Sequence, residues 1–102
     1  MTTLATEPAI PLARSVSVTD ERLTVELQDG RSITAPIVWY PRLLHGTPQE
    51  RNHWEIIAGG EGIHWPELNE DLSVASILEG RSSRESPRSI KKWLEERAAK
   101  SA

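Results

Sequence analysis

The sequence predicts an α+β fold: an antiparallel sheet of about five strands, short covering helices and a C-terminal amphipathic helix. Three observations carry this. Apolar and polar residues alternate from Val16 to Ala35. Helix-start residues recur at Thr47-Pro48, Ser73 and Ser86-Pro87. Ile90, Trp93, Leu94 and Ala98 fall at helical spacing near the C-terminus.

A chain of 102 residues is one domain with room for one modest core. Residues 1–14 read as a flexible leader broken by Pro8 and Pro11. They lack the basic start and continuous apolar run of a secretory signal. The α+β domain is expected over residues 15–80, with a basic linker and helix over 81–102. Val16 and Val18, then Leu23, Val25 and Leu27, then Ile33 and Ala35 give three half-buried strands. Thr19-Asp20-Glu21-Arg22 makes the first turn. Asp29-Gly30 makes the second, because Gly accepts the positive φ of a tight hairpin. The resulting N-terminal meander is apolar on one side and needs a cover.

The cover follows. Pro41 suits a first helical turn, putting Trp39, Leu43 and Leu44 on one side, and Gly46 is expected to end that turn in the left-handed region. Thr47-Pro48-Gln49-Glu50 is a capping box for a second short helix ending before Trp54. Glu55–Ala58 and Ile63–Trp65 read as a second hairpin across Gly59-Gly60-Glu61-Gly62. No Lys-Ser/Thr and no helix follow those glycines, so they do not make a phosphate cradle. Pro66 ends the strand, and Glu67, Glu70 and Asp71 are expected on a solvated turn. Ser73 caps a helix that Gly80 stops, with Val74, Ile77 and Leu78 as its buried stripe. The last helix, about 13 residues, is marginal alone in water. It must dock through Ile90, Trp93 and Leu94 on the body, on a second copy or on another protein.

Charge is split. Residues 1–80 hold five Arg, no Lys and twelve Asp or Glu, a net −7, while residues 81–102 hold seven Lys or Arg and three Glu, a net +4, which together give −3. An acidic body repels phosphates, so nucleic-acid contacts would fall on Arg81, Arg84, Arg88, Lys91 and Lys92 of the tail. Charge runs of this kind are also ordinary solvated faces. The absence of cysteine excludes disulfides and thiolate chemistry, which fits a cytoplasmic protein. No stretch approaches the roughly 20 apolar residues of a membrane span.

The chemistry candidates are sparse. His45, His53 and His64 lack the tight spacing of a metal site, and no serine has a plausible His and Asp around it. The reading is therefore non-enzymatic, with no metal and no cofactor. Four tryptophans in a chain without phenylalanine are more telling. Such rings fill small cores, and one or two that reach the surface become binding anchors. The expected binding patch is Trp39, Tyr40, Arg42, His64 and Trp65, rimmed by Glu67, Glu70 and Asp71.

Several linked motifs also occur in order: Asp29-Gly30-Arg31, Trp39-Tyr40-Pro41-Arg42-Leu43, Gly62-Ile63-His64-Trp65-Pro66, then Asn69-Glu70-Asp71-Leu72-Ser73-Val74 and Leu78-x-Gly80. Over about residues 15–80 the chain resembles the bacterial domain of unknown function 2442 family. The resemblance implies a small α+β domain with no established enzymatic activity. It also implies a small partner protein, in an arrangement suggestive of toxin–antitoxin pairs. Some members add a C-terminal helix-turn-helix domain, which the residues after Gly80 are too few to form here. Two functions follow as expectations. One is a protein-binding module, antitoxin-like, whose acidic body suits a small basic protein; a homodimer through the last helix is a further possibility. The other is a nucleic-acid-associated regulator working through the basic tail.

Overall fold

The computed structural model describes residues 11–101. Residues 1–10 of the expected leader lie outside them. Strands β1 (Ala13–Val18), β2 (Arg22–Leu27) and β3 (Ser32–Pro36) form the antiparallel meander in the order β1-β2-β3. Its register pairs Val16 with Val25 and Val25 with Ile33, so the apolar residues share one face. Both turns are closed locally. The Thr19 hydroxyl accepts the Arg22 N–H at 3.0 Å, and the Asp29 carboxylate accepts the Arg31 N–H at 3.0 Å. β1 starts inside the span read as leader, because Ala13 is buried and Gln28 donates its backbone N–H to Leu12 O at 2.8 Å.

A 3-10 turn, Ile37–Trp39, leads into α1 (Pro41–Leu44) and α2 (Pro48–Asn52). The capping box forms as expected: Thr47 Oγ1 accepts the Glu50 N–H at 3.1 Å, and Glu50 accepts the Thr47 N–H at 2.9 Å. Gly46 departs from expectation. Its φ is not positive, so it does not end α1 by left-handed geometry. It is small because Leu68 packs on it: a Cβ there would lie 3.0 Å from a Leu68 methyl.

The second sheet is larger than expected. β4 (Glu55–Ile57), β5 (Gly62–Trp65) and β6 (Glu70–Ser73) are antiparallel in the order β4-β5-β6. Among the described residues the fold therefore has six strands in two sheets of three. Glu70 and Asp71 belong to β6 instead of a solvated turn. After Pro66 the chain turns through Asn69, at φ 50°, and returns with Glu70 opposite Trp65. Asn tolerates that left-handed backbone, and Leu68 is pressed into the core beneath it.

Ser73 caps α3 (Val74–Leu78) by accepting the Ser76 N–H at 3.1 Å. Val74 and Ile77 are buried, but Leu78 is 45% exposed, contrary to expectation. A helix of one turn has room for only a narrow buried face. The linker is tied down by Arg81 N–H to Ser76 O and Ser83 N–H to Trp39 O, both 2.9 Å. α4 (Pro87–Ser101) begins at Ser86, whose hydroxyl accepts the Ser89 N–H at 3.1 Å. Trp93 docks α4 on the body, 9% exposed, with the Arg42 and Arg97 guanidiniums 4.9 and 4.8 Å from its ring centroid. Ile90 and Leu94 are only half-buried and line a shallow groove with Pro87 and Ala98. No helix among the described residues is long and apolar enough to cross a membrane.

Trp65, Tyr40, Leu23, Leu43, Ile63 and Leu68 lie at the centre of one core shared by both sheets and the short helices. Arg51 is buried with them. It donates Nε to Leu43 O at 2.8 Å and Nη2 to Leu44 O at 2.7 Å, satisfying carbonyls at the end of α1. Its own carbonyl accepts Trp65 Nε1–H at 3.0 Å.

Candidate functional site

The residues expected to form one patch are distributed over three places. Trp65 and Tyr40 are 0% and 1% exposed, so they are core rings and not surface anchors. Register decides this for Trp65: it follows inward-facing Ile63 by two residues on β5. Trp39 is half-buried against the core. Glu67 is exposed, and His53 Nδ1 meets its carboxylate at 2.9 Å.

Tyr40 and Glu70 do come together, at a cleft between β6, α3 and the linker, with Arg42 close enough for its charge to act on Glu70. Arg42 is held by Glu85, 43 residues away, with Nε–Oε1 2.8 Å and Nη2–Oε2 2.6 Å. It also donates Nη1 to Leu68 O at 3.1 Å. This pair holds the Glu85 carboxyl below its usual range, mainly through the hydrogen bond from Arg42. Glu70 is the opposite case. Burial, with the neighbouring Glu85 carboxylate adding to it, pushes its carboxyl up to about 7. The Arg42 charge and the Asp71 backbone N–H oppose that rise without cancelling it. Burial also raises the Tyr40 phenol, and the Glu70 charge adds to this. The two groups share a further property: among the described residues, Tyr40 Oη and Glu70 Oε2 are buried with no hydrogen-bond partner. A cleft of about 490 Å³ lies over them, walled by Ser73, Ser76 and the Arg81–Glu85 linker.

His64 and Asp71 lie elsewhere, on the outward face of the second sheet. Ile56, Ile63 and Leu72 pair across β4, β5 and β6, and their side chains pack toward the core. The next row, Glu55–His64–Asp71, therefore faces out. His64 Nδ1 is bonded to the Asp71 carboxylate. Beside that row Ile57 is 38% exposed and lies across Gly62. A Cβ on Gly62 would come within 3.1 Å of Ile57 Cγ1, so the glycine gives the isoleucine its seat. Ile57, Ala58, Ala75 and Pro11 line an apolar groove of about 340 Å³ with Glu61 and Asp71 on its border.

Of the tail cations, Arg81 pairs with Glu79 at 2.8 Å. Arg84 in the linker and Arg88, Lys91 and Lys92 on α4 are exposed, and α4 also carries Glu95 and Glu96. Among the described residues no three His, Asp or Glu side chains converge in a way that could hold a metal ion.

The family model described as a protein of unknown function, DUF2442, matches residues 13–83. The chain belongs to this family. That span starts at the first residue of β1 and ends in the linker, so α4 lies outside the DUF2442 match. Two solved structures share the DUF2442 fold seen here. A protein of unknown function from Rhodospirillum rubrum superposes with a TM-score of 0.64 at 25% identity, covering 74% of this chain and 93% of the other. An uncharacterized protein from Chromobacterium violaceum gives 0.61 at 25% identity, covering 79% and 74%. No curated protein matches this DUF2442 chain.

Sequence reasoning missed Glu55, Ile57, Glu61, Arg51 and Glu85. Extending the period-two alternation one strand further, to Leu72 and Ser73, would have found the outward row. Nothing local announces the Arg42–Glu85 pair.

Proposed function

We propose that this protein is a non-enzymatic module that binds a small basic protein, antitoxin-like, on the outward face of its second sheet. The observation that carries this is the Glu55–His64–Asp71 row beside the open Ile57 groove. An apolar patch gives a partner something to bury, and acidic residues around it select a basic one. Glu61 at the groove border extends the acidic rim. Arg51 and Arg42, two of the few cations of the body, are turned inward or paired and do not offset that charge.

The test is calorimetric titration of the protein with small basic proteins encoded beside its gene. A complex of micromolar affinity or tighter is expected for one of them, weakening at high salt. The double variant Glu55→Lys/Asp71→Lys should weaken it at least about tenfold, since each reversed charge becomes repulsive. Equal affinity in that variant refutes this face. The absence of any complex across several neighbours refutes the function.

A further inference from the structure

Trp93 holds α4 on the body, and a different side of the same helix still presents apolar surface. We propose that this side seats a second copy of the chain: two α4 helices pack antiparallel about a two-fold axis, with Lys91 of each copy facing Glu95 of the other.

The face follows from helical spacing. Pro87, Ile90, Lys91, Leu94, Glu95 and Ala98 line one shallow groove, and among the described residues no side chain outside α4 lines it. Pro87, Ile90, Lys91 and Leu94 stand at i, i+3, i+4 and i+7, and so do Lys91, Leu94, Glu95 and Ala98. Four residues in that pattern frame the hole that receives a side chain from a facing helix. α4 therefore carries two such holes, one turn apart. Side chains able to fill them stand on the same face. Ile90 and Leu94 are only half-buried on the body, so each still has apolar surface to cover.

Symmetry selects the occupant. In an antiparallel pair each residue number on one helix faces a fixed counterpart on the other, set by where the axis passes. Ile90 enters the hole centred between Leu94 and Glu95 of the other copy. Leu94 enters the hole centred between Ile90 and Lys91. Both insertions require the axis to pass level with Lys92, so one placement satisfies both, and each contact occurs twice.

The charges agree with the same axis. Lys91 and Glu95 lie one turn apart on one flank of the face. A two-fold axis keeps like flanks together and reverses their order, so ammonium meets carboxylate at two places. At this axis position Lys91 comes within about 2 Å, measured along the helix, of Glu95 in the other copy. A parallel pair would set Lys91 against Lys91 and Glu95 against Glu95. Both side chains are exposed, and among the described residues neither is held in an ion pair.

From Pro87 to Ala98 the face is about 16 Å long. One helix pair of that length buries less than the roughly 800 Å² per partner of a standard interface. The dimer is therefore in reversible exchange with the monomer. It uses a helix outside the family match and none of the residues Glu55, Ile57, His64 or Asp71, so its test is independent of the function proposed above.

The experiment is sedimentation equilibrium of the full chain, from about 5 μM to about 1 mM at low salt. A monomer–dimer equilibrium is expected, with Kd of about 10–300 μM. Lys91→Glu and Glu95→Lys each place like charges across both pairs, and each should weaken the dimer at least about tenfold. The double variant Lys91→Glu/Glu95→Lys should return Kd to within about threefold of the original. An equimolar mixture of the two single variants should form the mixed dimer, because every charge then meets its opposite. Both positions are exposed, so the far-ultraviolet circular dichroism and tryptophan fluorescence of all variants should match those of the original chain. A chain that stays monomeric at about 1 mM overturns the proposal and leaves the face to another protein or to solvent. A dimer that both single reversals leave unchanged overturns it too, since its interface is then elsewhere or its helices are parallel. So does a dimer that the singles weaken but neither the double variant nor the mixture restores.

Discussion

Replacing Glu70 with glutamine should stabilise this protein, with a gain that appears as pH rises from about 4.5 to about 7 and is complete above that. The carboxyl is pushed from 4.5 to about 7, chiefly by burial. A group whose folded pKa is raised contributes its stability below the unfolded pKa and loses it as pH rises through the folded one. The folded state is therefore favoured below about pH 4.5 and gives up that advantage between there and about pH 7. A displacement of this size corresponds to about 3 kcal/mol at full value. The carboxyl keeps some contact with solvent, which reduces the expected effect to about 2 kcal/mol. Glutamine has nearly the same shape and does not ionise. Urea unfolding followed by tryptophan fluorescence at pH 5 and pH 8.5 measures the difference. At pH 5 the two proteins should unfold within about 0.5 kcal/mol of each other. At pH 8.5 the variant should be more stable by about 2 kcal/mol, with an unchanged m-value. An equal offset at both pH values would mean that burial does not suppress ionisation of Glu70. A variant less stable at pH 8.5 would mean that the carboxylate is paired inside the protein.

Other perturbations test other parts of the structure. Arg51→Met strands the Leu43 and Leu44 carbonyls that Arg51 now satisfies, and should cost about 2–4 kcal/mol in urea midpoint. Trp93→Ala removes the ring that docks α4 between Arg42 and Arg97. Amide exchange over residues 87–101 should then accelerate by at least about a hundredfold, while β2 stays protected. Gly46→Ala drives a methyl against Leu68 and, at 3.3 Å, toward the Arg42 carbonyl. It should cost about 1–2 kcal/mol, read as a lower melting temperature.

Local chemistry made much of the fold legible. The meander follows from alternation and from turns that close on their own side chains, Thr19 on Arg22 and Asp29 on Arg31. The caps at Thr47, Ser73 and Ser86 likewise need only residues three positions away. Trp93 was readable as an anchor because a short amphipathic helix must bury its largest ring.

The strand β6 and the site were a different matter. Asn69-Glu70-Asp71 has poor strand propensity, so it reads as a turn. It becomes a strand because β5 offers an unpaired edge and Asn69 accepts a left-handed backbone. Tyr40 and Trp65 have the chemistry of surface anchors, and only register and packing place them inside. Glu70 has an unusual carboxyl because a linker more than ten residues later lies over it, bringing Glu85 to its side. Sequence by itself determined those features whose partners are a few residues apart. Tertiary structure decided which carboxylates are desolvated, which cations are spent on ion pairs and which polar groups remain unpartnered, because those depend on distances between segments that are remote along the chain.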